Sequence, residues 1–353
     1  MMPTSVATDA LRELHTLPPA GGYYTCEQRV LAWADQGLLL AGFARSRGLA
    51  TADWLAGSGV QAGQALSCAE LLRLLQPLLG LGRDAPFVLG QLWLPGHYGL
   101  ASQALQSSGS LAEAAHILAR LSGRLLPLMT LRPLRQGSRL WLVFTEACGL
   151  PAAQRAALVD LHLTALVGYG NWRAGRRLPW QICFNRTAPR ELGMHATQLS
   201  PDLRFDCQVD ALSLPLALAE QAWPADARGA LAVQALPLLL DGADPQALCR
   251  GWLAGAQERM LAQLSEPGGA SQERLAQQFG ISLATLKRQF AQHGTHWQAE
   301  LDLLRTRLAL ALLREPGWSP ARVGEALGFV DPSNFRRSLR RWTGNALLDI
   351  RGM

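Results

Sequence analysis

Two short segments near the C-terminal end place basic side chains on the second of two predicted helices. Lys287 and Arg288 follow one tight turn, and Arg336 and Arg337 follow another. Arginine and lysine side chains donate hydrogen bonds to phosphate oxygens and to the acceptor atoms of base edges. This repeated placement is therefore suited to contacts with nucleic acid, provided that the surrounding elements hold the side chains outward.

Each segment has the pattern of a helix-turn-helix. That motif needs a small residue where its helices cross and a glycine where the chain bends. The first copy has Ala276 and Gly280 at these places, and the second has Gly324 and Gly328, with the two turn glycines 48 residues apart. One such match is common among helical hairpins, whereas two matches with basic second helices are specific. The apolar residues expected to dock the second helices are Leu286, Phe290, Phe335 and Leu339.

The net charge of +6 is concentrated in the C-terminal quarter of the chain. Residues 270–353 carry twelve Lys or Arg against seven Asp or Glu, whereas the preceding 269 residues carry 21 against 20. A basic segment of this kind is expected where a chain meets phosphates. A merely solvated surface could carry the same charge, and the repeated motif is what favours DNA.

A continuous helix is predicted between the two copies, from Trp297 to Arg314, because this stretch has no Gly or Pro. Its apolar residues form two stripes on opposite sides, whereas an ordinary amphipathic helix has one. We therefore expect a helix packed on both sides, with one helix-turn-helix on each flank. Ser319 and Pro320 would start the next helix as its N-cap and first residue. The stripes comprise Trp297, Leu301, Leu304, Leu308 and Leu312 on one side and Leu303, Leu310 and Leu313 on the other.

Residues from about 245 to 350 resemble the DNA-binding domain of the AraC/XylS family of bacterial transcription regulators. Three positions depart from the family pattern: Gly324 replaces alanine, Leu339 replaces phenylalanine and Leu347 replaces proline. The first is expected to cost about 1 kcal/mol of helix stability. The segments that carry the resemblance are Arg274–Gly280, Glu325–Phe329 and Asn334–Gly344.

The resemblance implies that both second helices enter successive major grooves of promoter or operator DNA, with RNA polymerase as a further partner. Arg340 and Arg341 are expected to hold phosphates, which fixes the register without reading sequence. Arginine and lysine suit guanine, asparagine suits adenine, and small side chains suit the thymine methyl group. The implied base-edge residues are Ala284, Thr285, Lys287 and Arg288 in the first helix and Ser333, Asn334, Arg336 and Arg337 in the second.

The predicted fold is an α+β N-terminal domain followed by an all-α C-terminal domain with two helix-turn-helix units. The predicted domains are a flexible tail (1–20), an effector-sensing or dimerisation domain (21–240) and a DNA-binding domain (241–353), joined at the turn-rich Asp241–Pro245. Within the last domain the motifs are expected at about 272–292 and 320–341, flanking the central helix at 297–314. In the N-terminal region we predict helices at Cys26–Ala34, Leu38–Gly48, Cys68–Leu79, Leu111–Leu126 and Ala152–Tyr169, and strands at Ser138–Thr145 and Pro179–Asn185.

The N-terminal region resembles the "arabinose-binding type" domain of one AraC/XylS subgroup, through Leu66–Leu79, Leu94–Leu100 and Ser107–Ala114. The resemblance implies a sensor that binds a small effector or mediates dimerisation, and no set of residues suited to a sugar is evident. Two hypotheses stay open: a regulator that responds to a small molecule, and a regulator whose N-terminal domain only forms a homodimer or contacts another protein. The aromatic-rich stretch with Trp93, His97 and Tyr98 is either a pocket lining or core packing.

Enzymatic and metal-binding motifs are absent from the sequence. No nucleophile elbow, phosphate loop or His-Glu-x-x-His motif is found. The six cysteines lie too far apart for paired metal ligands, and His293 with His296 lacks a third ligand. Neither a signal peptide nor a membrane-spanning stretch is predicted. We therefore expect a cytoplasmic protein that is not an enzyme, contacts no membrane and has no catalytic residue, metal site or cofactor.

Overall fold

The computed structural model describes residues 17, 19–224, 230–266, 269–314 and 317–343. The chain divides into two compact units, with the first ending at Ala254 and the second beginning at Gly255. The predicted flexible tail, apart from residues 17, 19 and 20, lies outside the described residues, as do Gly344 and Leu347.

The N-terminal unit combines a mixed sheet with many helices, so the α+β prediction for this region is confirmed. Its strands are β1 (Gly22–Tyr24), β2 (Met129–Gln136), β3 (Arg139–Glu146), β4 (Gln181–Cys183), β5 (Asp202–Arg204), β6 (Asp210–Pro215) and β7 (Cys249–Gly251). Its helices are α1 (Trp33–Ser46), α2 (Thr51–Ser58), α3 (Cys68–Leu79), α4 (Ala85–Trp93), α5 (Leu100–Gln106), α6 (Leu111–Arg120), α7 (Ser122–Leu125), α8 (Ala152–Ala174), α9 (Gly193–Gln198), α10 (Leu216–Glu220) and α11 (Ala230–Leu240).

Five strands form the main sheet in the order β2-β3-β6-β4-β5. All neighbours are antiparallel except β4 and β5, which are parallel. A two-residue turn joins β2 to β3, and Gly137 at its first position has φ +55°, which a residue with a side chain rarely adopts. Strand β3 alternates buried and half-buried residues, so one of its faces lies in the core.

Helix α8 is the central element of the N-terminal core. Its residues from Leu158 to Val167 are all buried, so no amphipathic pattern marks this stretch. Helix α4 packs closely on it at Gly90, where a Cβ atom would come within 2.5 Å of the Leu161 carbonyl oxygen. Only glycine permits this approach of the two backbones.

The last residues of the N-terminal unit lie beyond the predicted domain boundary at 240/241. A turn does follow α11 at Asp241–Asp244, but the chain then forms strand β7, which pairs in parallel with β1 at the start of the unit. Arg124 of α7 reinforces this arrangement, because its guanidinium pairs with Asp35 at 2.6 Å and with Asp244 at 3.3 Å. Residues 245–251 therefore belong structurally to the N-terminal unit.

The C-terminal unit is helical throughout its described residues. The division between the units falls within the first turn of helix α12. The helices are α12 (Trp252–Leu264), α13 (Gln272–Phe279), α14 (Leu283–Gln292), α15 (Trp297–Arg314), α16 (Pro320–Ala326) and α17 (Pro332–Thr343).

Several N-terminal helix predictions are corrected by the structure. The helix predicted at Cys26–Ala34 is wrong, because Val30 and Leu31 form backbone hydrogen bonds with the distant Leu66 and helix α1 begins only at Trp33. The helix predicted at Leu111–Leu126 is broken at Leu121, between α6 and α7. Gly123 lies in α7, where a Cβ atom would stand 1.8 Å from the Cys249 carbonyl oxygen. Helix α3 spans the residues predicted for it.

Candidate DNA interface

The first helix-turn-helix consists of α13 and α14. Ser271 and Ser282 cap the two helices, accepting hydrogen bonds from the backbone of Arg274 at 3.4 Å and Thr285 at 3.1 Å. Gly280 ends α13 with φ +65°, the left-handed conformation that glycine adopts readily. Each of the two N-caps stabilises its helix by about 1 kcal/mol, so the serines and the glycine in the sequence define where both helices begin and where α13 ends. The docking side chains Leu286 and Phe290 are 0% and 2% exposed.

The second helix-turn-helix consists of α16 and α17. Ser319 caps α16 through the backbone of Arg322 at 3.2 Å, and Pro320 is the first helical residue. Asp331 accepts a hydrogen bond from the Ser333 backbone at 2.8 Å at the start of α17. Phe335 and Leu339 are 0% and 1% exposed, so the docking face of α17 is fully buried.

Gly324, a departure from the family pattern, lies where α16 crosses α17. A Cβ atom at this position would stand 3.1 Å from the Cβ and Cγ atoms of Phe335. This separation is tight for carbon atoms, so the family's usual alanine would require the ring to shift. Gly324 thus accommodates the Phe335 ring without such a shift, at a helix-propensity cost of about 1 kcal/mol relative to alanine.

Helix α15 lies between the two motifs in sequence and is buried over most of its surface. The first predicted stripe is in the core, with Leu304, Leu308 and Leu312 at 2%, 1% and 0% exposure. The second stripe is less uniform, since Leu313 is buried while Leu303 and Leu310 are half-buried. Both α16 and α17 pack on this helix. The first side of α15 is therefore buried except for the half-buried Trp297, and the second side is buried only in part, whereas equal burial of both sides was predicted.

Helix α12 connects the first motif to the central helix. Gln257 donates to a Glu300 carboxylate oxygen at 2.8 Å, and Gln263 donates to the Gln278 side chain at 3.0 Å. The guanidinium carbon of Arg259 lies 4.0 Å from the centre of the Phe279 ring. Sequence reasoning did not single out these residues, because their partners lie from 15 to 43 residues away.

Most of the base-edge candidates project from the surfaces of α14 and α17. Only Thr285 is half-buried, and its hydroxyl lies 3.0 Å from that of the capping Ser282. Asn334 accepts a hydrogen bond from Arg337 at 2.5 Å, which orients the guanidinium along the helix. Both second helices therefore present basic and polar groups on the side opposite their docking faces. The exposed candidates are Ala284, Lys287, Arg288, Ser333, Asn334, Arg336 and Arg337.

The two arginines expected at phosphates differ in their surroundings. Arg340 is exposed, whereas Arg341 pairs with Asp302 of α15 at 3.4 Å. This ion pair orients the Arg341 side chain toward the central helix. Arg340 is thus the freer of the two to contact a backbone phosphate.

Val330 is an exposed apolar residue beside α17 that the sequence reasoning did not single out. It is fully exposed and lies immediately before Asp331, at the start of α17. The sequence indicates an extra residue in the second turn, because seven positions separate Gly328 from Phe335 whereas six separate Gly280 from Leu286. An exposed aliphatic group at this place is suited to contact a thymine methyl group.

The aromatic candidates of the N-terminal unit are used in packing. Trp93 and Tyr98 are 0% and 1% exposed. The Trp93 indole donates to the Leu125 carbonyl at 2.8 Å, and the Tyr98 hydroxyl donates to the Trp93 carbonyl at 3.1 Å. His97 is exposed. The geometry therefore favours core packing over a pocket lining for the two rings.

Models of known protein families match both parts of the chain. Residues 48–222 match the arabinose-binding domain of AraC transcription regulators, and residues 275–352 match a helix-turn-helix domain. The second match covers both motifs described above, and the first lies within the α+β unit. The chain belongs to the AraC-type transcription regulators.

Relatives of this AraC-type regulator match it over most of its length. An "ornithine utilization regulator" of Pseudomonas aeruginosa is 29% identical over 282 residues, covering 78% of this chain and 79% of the relative. An uncharacterised helix-turn-helix regulator of Mycobacterium tuberculosis is 24% identical and covers 94% of this chain and 97% of its own. The crystal structure of the Pseudomonas aeruginosa transcriptional regulator CdpR is 20% identical, with a TM-score of 0.41, covering 90% of this chain and 98% of that one.

The described part of this AraC-type chain has neither a candidate membrane span nor a candidate metal site. None of its helices there is both long and apolar enough to cross a membrane. Likewise, no cluster of three or more His, Cys, Asp or Glu side chains within the described ranges could hold a metal ion. His293, singled out from the sequence, is 2% exposed and its Nδ1 atom lies 2.7 Å from the Gln289 carbonyl oxygen.

Proposed function

We propose that this AraC-type regulator reads operator DNA with both second helices, α14 and α17, and acts without catalytic chemistry. The observation that carries the proposal is that each of the two helices has an apolar side and a basic, polar side. Its apolar residues are buried against the motif, and its basic and polar residues are exposed on the opposite side. The base contacts are assigned to the exposed candidates above together with Thr285, and Arg340 and Arg341 to phosphates. DNA as the partner would place the protein in the cytoplasm, with RNA polymerase as a second partner.

We further propose that a small effector bound to the N-terminal unit shifts the chain between states that differ in affinity for DNA. The N-terminal unit has its own extensive core and ends in strand β7, three residues before the division between the units. A ligand that binds this unit could therefore bias the segment that leads into α12. Any such ligand must bind the two states with different affinities, since equal binding shifts nothing.

Genome-wide mapping of bound sites in the native host tests the regulatory proposal. The expected result is a small set of promoters that share a sequence motif, with altered transcription of the adjacent genes in a deletion strain. Uniform occupancy without a shared motif would contradict sequence-specific regulation. The genes controlled would also indicate the class of effector and whether the chain activates or represses them.

Homodimerisation through the N-terminal unit is a second candidate role. Helix α11 exposes three large apolar side chains: Val233 is 52% exposed, Leu238 40% and Leu240 41%. Val233 and Leu240 lie seven positions apart and so share one side of α11, and apolar residues that share a surface are typical of association sites. Analytical ultracentrifugation of the wild type and of Val233→Asp would test this role. A monomeric wild type at micromolar concentration would contradict it, and a variant that loses dimers would support it.

A further inference from the structure

A cleft of about 580 Å³ runs along one face of helix α6 in the N-terminal unit. Glu113, Ile117 and Arg120 line it at spacings of four and three residues, so they share one side of the helix. The volume lies within the usual range of small-molecule sites. Other elements contribute Arg135 of β2, Glu220 of α10 and Leu236 of α11 to the lining.

Arg120 provides an anion-binding group at one end of this face. Its Nε atom is buried and has no hydrogen-bond partner among the described residues. Arg120 nevertheless lines the cleft, and a carboxylate is the acceptor that best matches its guanidinium group. Arg135, by contrast, already pairs with Glu220 at 2.8 Å, so these two charges neutralise each other.

Glu113 provides a cation-binding group at the other end. It precedes Arg120 by seven residues, which corresponds to about 10 Å along the helix axis. Its Oε2 atom accepts a hydrogen bond from the Gly109 backbone at 2.5 Å, which leaves Oε1 for a ligand. The carboxylate of Glu113, which has no basic partner in the lining, disfavours a multiply charged anion such as a phosphate.

Between the two charged ends the lining is mixed, with His116 exposed on the same helix face and two apolar side chains beside it. Ile117 is 3% exposed and lies on the helix face between Glu113 and Arg120. Leu236 of α11 is half-buried in the same lining. A ligand that spans the two ends would therefore place an aliphatic chain on this surface.

We propose that this cleft binds an extended zwitterion, a molecule with a carboxylate and an ammonium group joined by an aliphatic chain. The carboxylate pairs with Arg120, the chain lies over Ile117 and Leu236, and the ammonium group pairs with Glu113. The inference rests on the proposed function, in which the N-terminal unit senses an effector, and it adds the site and the ligand class. Arg120 is followed directly by α7, whose Arg124 pairs with Asp244, close in sequence to the start of α12.

Isothermal titration of the full chain with ε-aminocaproate tests the site. Caproate and hexylamine serve as ligands that each lack one charged end, and we expect each to bind at least about tenfold more weakly, because one charge-assisted hydrogen bond is lost. Arg120→Met removes the anion-binding charge and keeps an apolar stem. Glu113→Gln removes the other charge and keeps a residue type that suits the helix cap. Each variant should weaken binding about tenfold or more.

Arg45→Met is the matched control, because Arg45 is exposed on α1 and does not line the cleft. It should bind ε-aminocaproate as the wild type does.

Three results would overturn the proposal: no binding of ε-aminocaproate by the wild type at millimolar concentration, binding of caproate and hexylamine as tight as that of ε-aminocaproate, or unchanged binding by both cleft variants. Fluorescence anisotropy with duplex DNA, run without ligand, keeps the two proposals apart. Failure to prefer any DNA sequence counts against the proposed function, whereas failure to bind the zwitterion counts against the cleft alone.

Discussion

His162 is buried in helix α8 beside Trp93 and Phe144, with ring centres 5.9 and 6.5 Å away. Burial lowers its pKa from 6.5 to about 4, and only the hydrogen bond to the Leu158 carbonyl opposes this change. The folded state therefore keeps the ring neutral over a pH range in which the unfolded chain protonates it.

This difference predicts a pH-dependent stability of the N-terminal unit. The contribution of neutral His162 is complete above pH 6.5 and is lost as the pH falls toward about 4. A shift of this size corresponds to about 3 kcal/mol. Urea denaturation at pH 7 and at pH 4 should show a smaller loss for His162→Leu than for the wild type. Equal losses in the two proteins would show that the ring does not titrate with folding.

Arg340 allows a test of phosphate contact at a single residue. Its side chain is exposed on α17, whereas its neighbour Arg341 is paired with Asp302. Arg340→Ala should weaken binding to all DNA sequences alike and reduce the slope of log affinity against log salt by about one. Arg45→Ala, in the other unit, should leave the slope unchanged. An unaltered slope for Arg340→Ala would remove this residue from the interface.

At the scale of elements, the helix-turn-helix units were predictable because their determinants are local. Docking residues such as Leu286 and Phe290 lie four positions apart, and Gly280 follows directly after its helix. The helical spacing of the leucines in α15 likewise predicted which of them face other helices, but it could not distinguish a fully buried stripe from a half-buried one. That distinction depends on how closely neighbouring helices approach, which no local pattern contains.

The unequal stripes of α15 predict unequal effects of leucine truncation. Leu308 is 1% exposed, so Leu308→Ala should destabilise the C-terminal unit by about 2–5 kcal/mol. Leu310 is half-buried, so Leu310→Ala should cost about 1 kcal/mol. Urea denaturation of a fragment that begins at Trp252 measures both. A cost near zero for Leu308→Ala, or a larger cost for Leu310→Ala, would contradict the observed packing.

At the scale of the whole molecule, the division of the chain depends on a contact that local patterns do not reveal. Strand β7 pairs with β1, so Cys249 lies beside Gly22 although 227 positions separate them. The turn at Asp241–Asp244 suggested a domain boundary, but a turn indicates only that the chain changes direction. The order of the five-stranded sheet was beyond sequence reasoning for the same reason, since β6 lies between β3 and β4. The α+β class itself was predictable from the mixture of helical and strand-like segments.

The observed division predicts which fragment folds independently. A fragment of residues 252–353 retains α12, whose Gln257 and Gln263 bond to the central helix and the first motif. It omits β7, whose pairing partner lies in the other unit. Circular dichroism should show a cooperative thermal transition, and the fragment should bind DNA as a monomer. A fragment that is unfolded at low temperature would show that the C-terminal unit requires the rest of the chain.

The central claim is that both second helices read DNA sequence, and selection from random duplexes tests it most directly. The wild type should enrich a motif with two elements about 10 base pairs apart, one for each helix. Arg288→Ala should relax the preference at one base pair of one element, and Arg337→Ala at one base pair of the other, each at a cost of about 1–3 kcal/mol. A single enriched element, or equal weakening of specific and random DNA by both variants, would contradict the claim.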